Sequence, residues 1–379
     1  MAELLKNIYS QTFFEKLNPI LSRHIEGFEG EDFINRIFDE EWKKRELKDR
    51  MKHIANVLHH FLPDKYPEAI AFILSIVRDI EQSELSEMRL EGMFLPEYVE
   101  KFGLHDLETS VVAMEEITKF ASCEFAVRPF IKKYPEKMMR QIYNWTVHEN
   151  HHVRRLASEG CRPRLPWAMA LNVFKKDPLP VLKVLERLKE DTSEYVRRSV
   201  ANNLNDIAKD HPELVLEIGK QWMGIANETD WIVKHGCRTL LKNAHPGSLK
   251  LFGFEEPDEI EVTNLQVQSD IAIGEKLDFS FSLKNNSVKS VKIRLEYAID
   301  YVKSNGSRNR KIFKITENLY ASGDESAFAR SQSFREMTTR KHYPGMHKLA
   351  VIVNGQEMDA KEFKVKLPKR SEYQKRDHF

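Results

Sequence analysis

The stretch Val153-Arg154-Arg155-Leu156-Ala157-Ser158-Glu159-Gly160-Cys161-Arg162 returns as Val196-Arg197-Arg198-Ser199-Val200-Ala201-Asn202-Asn203-Leu204-Asn205. A looser copy starts at Val233-Lys234-His235. Val196 lies 43 residues after Val153, and Val233 lies 37 after Val196. That spacing fits stacked helical pairs of the HEAT type, whose period is roughly 40–47 residues. Counting from each valine, position +4 is Ala157, Val200 or Cys237, and position +8 is Cys161, Leu204 or Leu241. Residues four apart share one helix face, so this apolar column is the expected core. Two of the three cysteines fall on it and read as buried structural thiols.

The opposite face is polar. Position +2 is Arg155, Arg198 or His235; position +6 is Glu159, Asn202 or Thr239; position +9 is Arg162, Asn205 or Lys242. Stacking sets these columns side by side on one cationic surface. With Arg154, Arg164, Arg197, Lys234 and Arg238, they are expected to contact phosphate oxygens. The plainer reading is a solvated charged face. Glu159 does not suit a phosphate surface. It is either an i,i+4 partner of Arg155, a pair worth roughly 0.3–0.5 kcal/mol, or a carboxylate kept charged to meet something positive. Trp167 follows Pro163 and Pro166 on a stiffened exit loop. It reads as a core or inter-repeat plug, or as a π-surface for a base or cation.

Outward from these repeats, residues 1 to about 250 run as helix after helix, with apolar residues at three- and four-residue spacing and prolines between the segments. Near Pro257 the pattern changes to period two. Leu277, Phe279, Phe281 and Leu283 form one strand; Val291, Ile293, Leu295, Tyr297 and Ile299 form another. Strands at 312–315, 349–353 and 363–367 follow, separated by turn signals at 285–287, 304–307 and 354–355. About seven short strands fit an immunoglobulin-like sandwich, here without the Cys…Trp…Cys core of antibody domains. The expected fold is an all-α HEAT-like repeat superhelix, an α-solenoid, over 1–256, followed by an all-β immunoglobulin-like sandwich over 257–368. Basic linkers are expected at 308–311 and 340–342, and a solvated tail at 369–379.

The chain holds 59 basic and 58 acidic residues, a balance that hides a regional split. Residues 1–123 carry 15 basic and 24 acidic residues, residues 124–250 carry 22 and 15, and residues 257–379 carry 22 and 17. The basic middle and C-terminal regions suit a polyanion partner. Three cysteines argue against a disulfide framework and for a reducing compartment. No signal peptide or bilayer-length apolar run is apparent, so a soluble cytoplasmic protein is expected. His148-Glu149-Asn150-His151-His152 matches the H-E-x-x-H zinc pattern. That pattern needs one unbroken helix, and the repeat alignment puts 149–151 in a loop with Asn150 as an N-cap. The third copy would be capped by Thr229 or Asp230. No metal or cofactor is expected.

Three segments resemble the AlkC branch of the HEAT-like alkylpurine DNA glycosylases: Phe120 to Phe130, His152 to Trp167, and Arg197 to Asp206. The resemblance covers most of the chain, including the change to an immunoglobulin-like module, and leaves the first hundred residues without a mapped role. It implies excision of cationic N-alkylated bases such as 3-methyladenine from duplex DNA by a bacterial, nucleoid-associated monomer, without base flipping. By position it implies Glu124, Glu159 and Asp206 as active-site acids and Trp167 as the stacking aromatic. It also implies that the C-terminal domain grips DNA. A cationic base departs neutral and needs no general acid. The acids would instead stabilise the oxocarbenium-like sugar, as paired carboxylates do in glycoside hydrolysis. The competing reading is a non-enzymatic HEAT scaffold that binds DNA or an acidic protein. It accounts for the charge split but not for a carboxylate and a tryptophan amid the arginines.

Overall fold

The computed structural model describes residues 4–336 and 341–367. Arg340, from the second expected linker, and the tail from 369 lie outside the described residues. Among those described, sixteen α-helices precede eight β-strands. They form two compact units: residues 4–215 with 222–236, and residues 216–221 with 237–336 and 341–367. The change from helix to strand comes at the expected place, between Leu251 and Ile260. The second unit nevertheless reaches back into the helical region: it takes in residues 216–221 and, from Cys237, the last two helices. Among the described residues no helix is long and apolar enough to cross a membrane.

In the first unit, the helices that shape the site are α3 (Leu47–His59), α5 (Phe94–Phe102), α6 (Leu107–Phe120), α7 (Val127–Lys133), α8 (Pro135–Trp145), α9 (His151–Gly160), α12 (Glu194–Ile207) and α14 (Asn227–Gly236). The repeat register holds. Val153, Ala157 and Cys161 are fully buried, as are Val196, Val200 and Leu204. Packing pairs α9 with α12 and α12 with α14. Asn150 caps α9, its side-chain oxygen accepting from the His152 N–H at 2.8 Å, which satisfies a backbone donor free at a helix start. The helix break therefore falls inside the His148–His152 motif. The third copy departs from expectation: α14 starts at Asn227, so Thr229 and Asp230 lie within it rather than before it. The Thr229 hydroxyl accepts from the Ala226 N–H at 2.9 Å, and Asp230 takes the Gly224 N–H at 2.7 Å.

The second unit holds α15 (Arg238–Lys242), α16 (Pro246–Leu251) and the strands β1 (Ile260–Val267), β2 (Asp270–Ala272), β3 (Lys276–Asn285), β4 (Val291–Val302), β5 (Arg308–Tyr320), β6 (Glu325–Ser333), β7 (Gly345–Val353) and β8 (Gln356–Lys366). Two sheets form, ordered β1-β3-β6 and β2-β8-β7-β4-β5. Alternate residues of β3 and β4, together with Leu349, Val351, Val353, Phe363 and Val365, meet in one core. This is an immunoglobulin-like sandwich. Asn354 and Gly355, both with positive φ, close the β7–β8 hairpin, as its tight two-residue turn demands. The basic run at 308–311 is not a linker but the start of β5, where Arg308 pairs with Glu362 at 2.8 Å and Arg310 with Glu357 at 2.5 Å.

Candidate active site

Glu124 sits in the short segment between α6 and α7, and Glu159 in the last turn of α9. Gly160 lets these two segments approach. A Cβ at Gly160 would lie 2.6 Å from the Val127 side chain at the start of α7, closer than atoms can pack. One cleft of about 710 Å³ is lined by Glu124, Glu159, Arg155, Arg162, Trp167 and Tyr195, among others.

The charged groups alternate in sign along a continuous line. Arg155 Nη1 donates to Glu124 Oε2 and to Ser122 Oγ, the latter at 2.7 Å. Its Nη2 lies 3.4 Å from Glu159 Oε1. Arg162 Nη1 donates to that same oxygen at 2.6 Å, and its Nε donates to Asp206 Oδ2 at 2.9 Å. Lys209 closes the line on Asp206 Oδ1 at 2.9 Å. The other Glu159 oxygen accepts from Ser199 Oγ at 2.6 Å. Burial by itself would lower the Arg155 pKa, but the charges of Glu159 and Glu124 reverse this and hold it above the ordinary value. Arg162 behaves alike, with burial opposed by Glu159 and Asp206. Such pairs persist away from water because each ion has both an opposite charge and hydrogen bonds.

Aromatic groups form another part of the wall. Arg155 lies 4.9 Å from the centroid of the Tyr195 ring. His152 packs 5.7 Å from Tyr195. Burial, then the nearby His151, Arg89 and Arg155, push the His152 pKa down to about 4, so its ring is neutral at neutral pH. Trp167 is no core plug: it is 66% exposed. Its φ of 63° is uncommon for a bulky residue. The Trp167 carbonyl accepts from Lys48 Nζ at 2.9 Å, so α3, from the region without a mapped role, supports this loop. Arg89, Leu90 and Met93 of the same region line the cleft.

The structure separates the expected site residues into groups. Glu124, Glu159 and Trp167 line the cleft together. Asp206 does not line it; 2% exposed, it stands behind Arg162. The expected open cationic face is largely closed in the first copy. Arg162 is buried, and Arg155 is committed to Glu124 and Glu159. Arg154 Nε and Nη2 donate to the two Asp191 carboxylate oxygens at 2.6 and 2.9 Å, and Arg164 pairs with Asp210. Arg154 Nη1 also donates to the His148 and Glu149 carbonyls. Arg197, at the same repeat position, donates likewise to those of Asp191 and Thr192. These two arginines tie down the loop before their own helix. Arg198 and Lys242 are exposed, Lys242 in the second unit, and Arg198 pairs only at the surface with Glu194. Asn202, Lys234, His235 and Arg238 are half-buried, with Asn202 Oδ1 3.3 Å from His235 Nε2.

Sequence reasoning missed Ser199, Arg128 and Lys48. Ser199 occupies repeat position +3, where the other copies carry Leu156 and Gly236. That lone hydroxyl in an otherwise apolar column was the signal available.

Residues 35–218 match the family model described as DNA alkylation repair enzyme. Residues 261–367 match that of the C-terminal Ig-like domain of the uncharacterised protein YhaZ. The chain is 44% identical over 362 residues to uncharacterized protein YhaZ of Bacillus subtilis (strain 168), spanning 95% of this chain and 99% of that protein. Among solved structures it is similar to the Pseudomonas fluorescens alkylpurine DNA glycosylase AlkC bound to DNA containing an abasic-site analogue, with a TM-score of 0.91 and 34% identity. That match covers 96% of this chain and 100% of the other. The chain belongs to the DNA alkylation repair enzyme family, in its AlkC-type branch.

Proposed function

We propose that this chain is a DNA glycosylase that hydrolyses the N-glycosidic bond of cationic alkylated bases, 3-methyladenine among them, in duplex DNA. The observation that carries this reading is the meeting of Glu124, Glu159 and an exposed Trp167 in one cleft. Family membership and the DNA-bound AlkC relative support the substrate class.

The charge line sets the chemistry. Glu124 and Glu159 each accept from a guanidinium and a hydroxyl. Carboxylates held by such charge-assisted bonds are fixed in place and are good electrostatic partners. They suit a leaving group that needs no proton. The alkylated base departs with the bonding pair as a neutral molecule, and positive charge develops on the sugar. A carboxylate about 4 Å from that charge, at an effective dielectric of about 20, is worth on the order of 4 kcal/mol before desolvation. Fixed charge of this kind acts without reorganising during the reaction. Water then adds at the anomeric carbon, and its proton passes to solvent. Trp167, over the sugar or lesion and shielded from water by the bound DNA, adds roughly 2 kcal/mol of cation–π attraction. Asp206 holds Arg162 and, through it, Glu159. Selection by charge does not require reading the edge of the base, so the base stays in the stack. Exposed Arg198 and Lys242 supply phosphate contacts.

The test is base release from duplexes carrying either a cationic or a neutral alkylated base, with 2-aminopurine beside the lesion. The expected result is single-turnover release of the cationic base only, without the fluorescence rise that extrusion of the lesion brings. Retention of both bases would favour a binding scaffold instead.

A further inference from the structure

Arg128 is fully buried, yet among the described residues no carboxylate bonds to it, and Asp206 and Glu159 act on its charge only from a distance. All its hydrogen bonds run to backbone carbonyls. Nε and Nη2 donate to Met169 O at 2.8 and 2.6 Å. Nη1 donates to Gly160 O and to Arg162 O, both at 2.9 Å. Burial draws its pKa down to about 10, which leaves it charged at neutral pH. Burying a guanidinium among neutral acceptors is costly, and an apolar side chain could fill the same space.

Its position suggests what offsets that cost. Arg128 lies on α7, one turn beyond Glu124. The carbonyls it grips belong to the end of α9, beside Glu159, and to the far side of the loop that carries Trp167. The flat fork of a guanidinium holds several acceptors in fixed directions, which an ammonium does not. Arg162 and Arg164 anchor the near side of the loop to Glu159, Asp206 and Asp210; nearer Trp167, Ala168 N donates to Leu165 O and Leu171 N to Pro163 O, and Lys48 bonds the Trp167 carbonyl from outside.

We propose that Arg128 is a positioning residue that sets Trp167 over the cleft by holding the loop between Gly160 and Met169. The inference rests on the glycosylase reading, since it assigns Trp167 a part in the reaction.

The test combines a rate with a local probe. Arg128→Lys keeps the charge and loses the fork. A glycine inserted after Met169 loosens the same grip from the loop side and serves where Arg128→Lys does not fold. The expected result is single-turnover base release slower by on the order of 10–100-fold, the range that small misplacement of a reacting group produces. Binding to undamaged duplex should stay unchanged. With Trp167→Ala already present, the same change should slow release by less than about 3-fold, because groups acting as a unit are non-additive. With 5-fluorotryptophan in the chain, the fluorine line of Trp167 should move while those of Trp42, Trp145, Trp222 and Trp231 hold. Equal slowing in both backgrounds, or an unmoved Trp167 line, overturns the proposal. A wild-type chain that releases no base overturns the glycosylase reading instead, and the fluorine line then decides alone whether Arg128 sets the loop.

Discussion

The helices α9 and α12 start from nearly the same words, Val-Arg-Arg, and put them to different uses. In both, the first arginine ties down the loop before its helix. The second arginines diverge. Arg155 is enclosed by Glu124, Glu159 and Tyr195. Arg198 stands in solvent beside Glu194. The difference comes from what each repeat meets. The segment between α6 and α7 offers a carboxylate at Glu124, and α9 carries its own at Glu159 where α12 has Asn202. A repeat thus becomes a site through two acids and their neighbours, not through its arginines.

The sharpest way to break this comparison is to change the two +6 residues separately. Glu159→Gln should slow single-turnover base release by on the order of 10²–10³, as removal of one fixed electrostatic group does in other enzymes. Asn202→Ala should leave the rate within about 3-fold, since surface changes away from a site have small effects. Equal losses would mean that the acid is not what distinguishes the repeats. A smaller effect is expected on stability. Arg154→Ala breaks a largely buried pair and should lower the unfolding free energy by about 3 kcal/mol in urea titrations. Arg198→Ala removes only an exposed pair and should change it by less than about 0.5 kcal/mol. Smallest is the effect on DNA affinity. Arg198→Ala should reduce the slope of log affinity against log salt by about 0.9, the value for one phosphate contact. Arg155→Met should leave that slope unmoved. A slope change at Arg155 instead would show that its bonds to the two acids open on DNA.

Much of this was legible beforehand because it is periodic. The valine column, the cap at Asn150 and the alternation in β3 and β4 each follow from a local repeat. The strands that escaped notice lack one. In β1 the alternation is broken at Asn264, whose positive φ accompanies a register shift between Thr263 and Gln266. The edge strand β6 is too polar to stand out, reading Glu325-Ser326-Ala327-Phe328-Ala329-Arg330-Ser331-Gln332-Ser333. At the site, the acids were visible through resemblance, but their depth was not. Columns of a repeat tell which side chains share a face and not how closely the next repeat covers it. The resemblance made Asp206 an active-site acid, while the structure stands it behind Arg162. Lys48 and Arg128 could not be found at all, because each acts on a loop about 119 or 41 residues away along the chain.

The alternation of charge from Glu124 to Lys209 bears on how such a site can change over generations. Three acids and three cations stand in one row, and most of them are shielded from water. Losing a single member takes one counter-ion from each of its neighbours, a loss of up to roughly 3–5 kcal/mol where the pair is buried. That is a large share of the roughly 5–15 kcal/mol by which a typical domain is stable. Single steps along this row are thus costly to a drifting lineage, and paired substitutions cost less. Descendants that abandon the chemistry should lose an acid and its arginine together, or keep the whole row as a relic.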